Sequence, residues 1–304
     1  MYFSEIRMTG SRNTDSRSIG DRKTGNRVRF SGKLFLIWMT VLCMVLACGS
    51  PAMAKSKKKS KKSSKTTTSE APVMSSNREE WTNGTWVNGC YVNGQGKVLA
   101  SMAEADQARI PAMRKLKKYH TLFLGASQTT RTAAAVRDKS VYFYGCGGAR
   151  FDWFFQKQHK SKGRMYQPAY LVIRSYLKQQ PTGTVVVDMG GNDIDNLDAY
   201  IGFYRDLVNK YPEATFFFRG VPPRGESYSW CNDKRREFDC RLENALPGHV
   251  INLFDQILAF PDFKTLDGVH YAKPMTRKIY QLTMDGMGRK VSVSTKTGRV
   301  TSAK

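Results

Sequence analysis

The chain has 304 residues, room for one large domain or two small ones, and sets 49 Lys and Arg against 25 Asp and Glu. Residues 1–80 hold 16 basic and 6 acidic side chains, yet the remaining 224 residues are still basic, with 33 against 19. Such a surface fits acidic glycans, teichoic-type polymers or anionic lipid as partners; no nucleic-acid-binding signature accompanies the charge, so nucleic acid is not expected.

A basic lead-in (Arg22, Lys23, Arg27, Arg29, Lys33) runs into 15 apolar residues, Leu34 to Cys48, and then into small residues that include Ala52-Met53-Ala54. That is the order of a secretory signal: charged region, apolar core, A-x-A cleavage site. The core falls short of the ~20 apolar residues a spanning helix needs. Residues 1–54 read as a signal or anchor segment, and the protein as exported, either secreted or tethered to the outer face of the cytoplasmic membrane. Three processing routes stay open: cleavage after Ala54, lipidation of Cys48 at the end of "VLAC", and retention as an uncleaved anchor. Seven lysines between 55 and 65 blur the positive-inside asymmetry, although large domains translocate despite such charge. Residues 55–80, rich in Lys, Ser and Thr, have almost nothing to bury. They read as an extended linker able to meet anionic envelope polymers or a lipid surface.

Residues 81–98, "WTNGTWVNGCYVNGQGKV", set an aromatic residue shortly before Asn-Gly three times. Asn-Gly tolerates positive φ at both positions, which predicts short β-hairpins. Trp81, Trp86 and Tyr91 would then either staple the hairpin to the domain or form an aromatic platform for sugars. From residue 120, five apolar runs ("TLFLGA", "VYFYG", "TVVVDMG", "TFFFRGV", "HVINL") alternate with helical stretches, ending in "KPMTRKIYQLTMDGM". Runs this short and uniformly apolar fit parallel strands buried on both faces. The alternation predicts an α/β fold: a three-layer α/β/α sandwich on a five-stranded, mostly parallel sheet, preceded by the short β-hairpin segment. Residues 289–304 read as a basic tail resembling the linker. Cys231 and Cys240 are spaced to close a ten-residue loop as a disulfide in an exported protein, with free thiols as the alternative. No Cys or His spacing suggests zinc.

In such a fold, sites form beyond the carboxyl ends of the strands. There the chain places Ser127, Gly147-Gly148 and Asn192, and later "LDGVHYAKP" sets Asp267 three residues before His270. That offset lets a carboxylate orient an imidazole. His120 and His249 stand at strand entrances, and His159 lies in a basic run. Asp188 belongs to a buried strand pattern, and Asp193 reads as the cap of the following helix.

"GAS" at 125–127, "GCGGAR" at 145–150, "GGND" at 190–193 and "DGVH" at 267–270, in this order, resemble the blocks of the SGNH (GDSL-type) hydrolases over about residues 119–286. The resemblance implies an SGNH hydrolase domain over residues 99–288, with Ser127 as nucleophile, His270 as general base and acid, and Asp267 as its orienting partner. It implies oxyanion donors at the N–H of Ser127, the N–H of Gly148 (Gly147 competing) and the side chain of Asn192, and no metal or organic cofactor. Ala126 departs from the family's usual Gly-Asp-Ser. Export and basic charge point to an ester on an envelope or extracellular glycan, acetyl foremost. A lipid ester, acyl transfer by the same triad, and non-catalytic glycan binding are the alternatives.

Overall fold

The computed structural model describes residues 78–113, 116–156 and 164–302. The signal or anchor segment with Cys48, most of the Lys-rich linker and His159 lie outside the described residues.

The chain first forms a three-stranded antiparallel sheet of β1 (Thr85–Val87), β2 (Cys90–Val92) and β3 (Val98–Ser101). At the β1–β2 turn Asn88 and Gly89 have φ of 50° and 76°, the backbone that a two-residue hairpin turn demands. Trp81, Trp86 and Tyr91 are buried, which removes the sugar-platform alternative at these rings. Trp81 stacks on Tyr91 with centroids 4.8 Å apart. Trp86 packs on Phe155 and Phe203 and donates Nε1–H to Asp206 at 2.6 Å. The small sheet is stapled to the body.

After α1 (Met102–Gln107) the chain alternates as expected: β4 (Thr121–Gly125), α2 (Ser127–Ala135), β5 (Val141–Gly145), α3 (Ala169–Gln179), β6 (Thr184–Asp188), α4 (Leu197–Lys210), β7 (Thr215–Arg219), α5 (Asn232–Ala245) and a two-residue β8 (Val250–Ile251). The short α6 (Phe254–Leu258) and then α7 (Lys273–Gly286) follow. The sheet runs β5-β4-β6-β7-β8, and all its pairs are parallel. Side chains alternate across it. Leu122, Leu124, Val185, Val187, Phe216 and Phe218 join a core with α3, α4 and α5, while Phe123 and Val186 face α2 and α7 through Ala135, Tyr280 and Met284. Helices thus cover both faces, giving the three-layer α/β/α sandwich.

Two expectations are corrected. Residues 291–302 are not an open tail but a hairpin of β9 (Val291–Val293) and β10 (Val300–Ser302). Val291 and Val293 alternate with exposed Ser292 and bury against the Phe123–Tyr280–Met284 cluster. The Arg137 N–H also donates to the Gly298 carbonyl at 2.8 Å. The surrounding basic residues concealed a period-two pattern only three residues long. Cys231 and Cys240 are free thiols: Cys231 precedes α5 and Cys240 lies within it, and nine residues of helical rise separate them by about 13 Å, beyond disulfide reach. No helix among the described residues is long and apolar enough to cross a membrane.

The seat of the small sheet on α4 makes a test. A methyl group on Gly202 would meet Trp86 Cβ at 2.8 Å and its carbonyl oxygen at 2.9 Å. Gly202→Ala improves helix propensity by about 1 kcal/mol but overpacks this contact at a typical cost of about 1–3 kcal/mol. Urea unfolding should show no stabilisation, and a net loss if Trp86 is held rigidly.

Candidate active site

The carboxyl ends of the sheet strands gather the site. β4 ends at Gly125, and Ser127 opens α2 two residues later. The turn is fixed by the Ala126 N–H, which donates to the Asp188 carbonyl at 3.1 Å. Ser127 thereby occupies the first helical turn, where N–H groups lack intrahelical acceptors and the helix dipole is positive.

His270 comes from the loop before α7, 143 residues away. Its Nε2 lies 3.0 Å from Ser127 Oγ, and its Nδ1 lies 2.7 Å from Asp267 Oδ2. The other Asp267 oxygen accepts the N–H groups of Val269 (3.1 Å) and His270 (2.7 Å). One carboxylate therefore folds the loop and orients the ring, the short-range turn chemistry of Asp. Desolvation pushes the Asp267 carboxyl up, but the bonds from the His270 ring and the two N–H groups outweigh it and hold the group at about 2. An ionised Asp267 keeps the proton on Nδ1 and leaves Nε2 as an acceptor facing the hydroxyl. Gln128, next to Ser127, donates from Nε2 to the Val269 carbonyl at 2.9 Å and ties the two segments together. Nothing in the spacing of the sequence singles out Gln128.

Asn192 follows β6 and lines the cleft with Ser127. Its Nδ2 donates to the Ala149 carbonyl at 2.8 Å, linking this loop to the turn after β5. That turn closes through Ala149 N–H to the Cys146 carbonyl, with Gly148 at φ 73°. Gly148 is exposed and stands outside the residues that line the cleft. Asp193 occupies the cap position of the helical turn that follows, as expected, but its side chain makes no capping bond: the carboxylate turns inward to accept the Phe151 N–H (2.7 Å), the Tyr200 hydroxyl (2.8 Å) and Asn196 Nδ2 (3.1 Å). Burial pushes its acid up to about 7.

Asp188 closes the base of the cleft. Its Oδ2 takes Arg219 Nη2 at 2.7 Å and the Thr129 hydroxyl at 2.7 Å, and its Oδ1 takes Arg219 Nε at 3.1 Å. Both charged groups are buried. The cleft encloses only about 20 Å³, lined on its far side by Val221, Pro222, Arg224 and Arg235. That is room for a water molecule and little more. The Tyr228 ring lies against Gly268, next to the cleft-lining Val269, and on the same segment Trp230 is 80% exposed. Of the other histidines, His249 bonds the Phe216 carbonyl through Nδ1 at 3.0 Å. Among the described residues no group of His, Cys, Asp and Glu is arranged to hold a metal ion.

No protein-family model matches the chain, and no curated protein matches it. Solved structures similar to it include a candidate platelet activating factor from Streptococcus pneumonia, 15% identical, covering 58% of this chain and 85% of its own at a TM-score of 0.39. A candidate arylesterase from Agrobacterium tumefaciens is 17% identical, covering 55% of this chain and 99% of its own at a TM-score of 0.38.

Two buried acids make predictions. Asp188→Ala strands the Arg219 charge and should cost about 3–5 kcal/mol in chemical denaturation, against roughly 1 kcal/mol for Thr129→Val. Asp239 accepts the Val221 N–H at 2.6 Å, while its Oδ2 has no partner among the described residues. Burial pushes it up to about 8. A raised acid holds its proton more tightly folded than unfolded, so its contribution is full below about pH 4 and falls away as pH rises toward about 8. Asp239→Asn should flatten the decline of Tm across that window; an unchanged slope would exclude Asp239 as its source.

Proposed function

We propose that the chain is an SGNH-type serine esterase that removes short O-acyl groups, acetyl foremost, from an envelope or extracellular glycan. The observation that carries this reading is the continuous contact from Ser127 Oγ to His270 Nε2 (3.0 Å) and from His270 Nδ1 to Asp267 (2.7 Å). A serine hydroxyl needs a base within hydrogen-bond reach and an acid to hold that base in one tautomer.

The steps follow from those roles. Nε2 takes the Ser127 proton as Oγ attacks the acyl carbon. In this reading the oxyanion is held by the N–H of Ser127 and by the second amide N–H of Asn192, whose other N–H goes to the Ala149 carbonyl; Gly148, exposed and outside the cleft lining, would have to turn inward to act as the third donor the resemblance implies. The imidazolium, stabilised by Asp267, returns the proton to the departing sugar oxygen as the C–O bond breaks. A water molecule, deprotonated by the same imidazole, then attacks the acyl carbon; the imidazolium returns that proton to Ser127 Oγ as the acyl–Oγ bond breaks, releasing the acyl group as a carboxylic acid. Ala126, standing where the family has an acid, leaves the elbow anchored by its own N–H to Asp188 and by the bond from Thr129 to the Asp188 carboxylate.

The small volume beside Ser127 supports a short acyl group over a long lipid chain, which needs an apolar groove. The partly exposed Tyr228 ring against Gly268 supports a sugar as the alcohol, because the apolar face of a pyranose lies flat on such a ring. Export, read from residues 1–54, places the reaction at the cell envelope in this proposal.

Nitrophenyl acetate turnover should fall at least about a thousandfold in Ser127→Ala and in His270→Ala. Asp267→Asn should lower kcat while KM changes little, and nitrophenyl octanoate should be a markedly poorer substrate than the acetate. Equal rates for wild type and Ser127→Ala, together with no labelling of Ser127 by a serine-reactive phosphonate, would overturn the proposal.

A further inference from the structure

Arg235 lies in the first turns of α5 and is 3% exposed, while Arg224 is half-buried on the loop after β7. Both line the cleft that holds Ser127 and Asn192. Arg235 donates from Nε to the Pro222 carbonyl (2.8 Å) and from Nη1 to the Gly191 carbonyl (3.2 Å). Arg224 donates from Nη2 to the same Gly191 carbonyl at 2.9 Å. Two guanidinium groups thus converge on one neutral oxygen, and among the described residues neither forms an ion pair with a carboxylate.

The nearby acids balance this charge only in part, and none pairs with either arginine. Asp188 is engaged by Arg219 and Thr129, and Asp239 has its acid pushed up to about 8 by burial. The strain is felt by Arg235 itself, whose acidity is shifted from the usual guanidinium range to about 10, by burial first and by Arg224 second. A buried cation that no carboxylate pairs is costly. The three bonds above use fewer than half of the N–H groups on the two planar forks.

We infer that Arg224 and Arg235 form an oxyanion-binding subsite beside Ser127, and that the ester substrate carries a carboxylate or phosphate near its acylated oxygen. A planar fork matches either group two bonds at a time, which a lysine ammonium cannot do. Arg224 is well placed to sense the substrate because its loop is stitched to the catalytic one: the Gly225 N–H donates to the Gly268 carbonyl at 2.9 Å, and the Tyr271 hydroxyl donates to Pro223. The inference rests on the esterase reading for the anion's belonging to a substrate; the anion site itself is measurable without turnover.

The test uses the full chain carrying Ser127→Ala, titrated calorimetrically with glucuronate, inorganic phosphate and glucose, and the same chain with Arg224→Gln added. At least one anion should bind about tenfold or more tighter than glucose, and Arg224→Gln should weaken it by about tenfold or more. Arg224→Lys should fall between. The glucuronate and phosphate arms tell a uronic acid from a phosphate-bearing polymer. Anion affinity no better than that of glucose, or unchanged in Arg224→Gln, would overturn the subsite. In that event Ser127-dependent acetate turnover would leave an esterase for neutral esters in which the two arginines only pin the Gly191 carbonyl. Arg224-dependent anion binding with neither such turnover nor phosphonate labelling of Ser127 would instead refute the esterase reading and leave the anion site standing.

Discussion

The carboxylate of Asp188 is the point on which the catalytic edge depends. It neutralises Arg219 from β7, accepts the Thr129 hydroxyl from α2, and through its own backbone carbonyl holds the N–H of Ala126. Three segments that carry Ser127, Asn192 and the Arg224 loop are therefore referred to one buried group. None of them can move far without exposing an unpaired charge to a low-dielectric interior, where the penalty reaches several kcal/mol. Such a contact sets geometry more than it adds stability, because well-packed apolar residues of equal volume often do as well energetically. Its role in this fold is to keep the turn that carries Ser127 in register with the loop that faces it.

Much of this arrangement was legible in the chain because it rests on short-range rules. "TVVVDMGGND" reads as a buried strand and a glycine turn by composition alone, and Asp267 three residues before His270 places acid and base in one loop. What could not be read depends on distant partners. Gln128 reaches Val269 across 141 positions, and Asn196 meets Gly84, Tyr91 and Trp81 across more than a hundred. Neither has a local pattern. Val291-Ser292-Val293 was missed because its alternation is three residues long and set among charges, and only docking against Tyr280 and Met284 makes it a strand. The pairing of Cys231 with Cys240 failed for the opposite reason: sequence proximity suggested a loop where the chain runs as a rigid helix. The rings of Trp81, Trp86 and Tyr91, which the sequence allows either as a staple or as a platform, are interior, whereas among the described residues the exposed aromatic rings are Tyr228 and Trp230.

The amino-terminal sheet is joined to the site more closely than an appended module would be. Asn196 receives the Gly84 N–H and the Tyr91 hydroxyl and donates to the Trp81 carbonyl and to Asp193. Asp193 in turn takes the Phe151 N–H from the segment after the Gly148 turn. A fully buried amide thus couples the hairpin to the loop that carries Asn192 and to the segment after the Gly148 turn. Polar groups this deep require all their partners, so loosening the hairpin would unsettle Asn192 and the Gly148 turn together.

The same junction has a mechanical consequence. The chain enters the fold at Trp81, whose indole stacks on Tyr91 and whose carbonyl is held by Asn196. A pull from anything fastened upstream is met there first, by ring stacking and side-chain hydrogen bonds spread over three short strands. Because the same Asn196 amide also donates to Asp193, tension on that clamp would pass along these bonds to the loop of Asn192 and the turn of Gly148, while the parallel strands that seat Ser127 lie further from it.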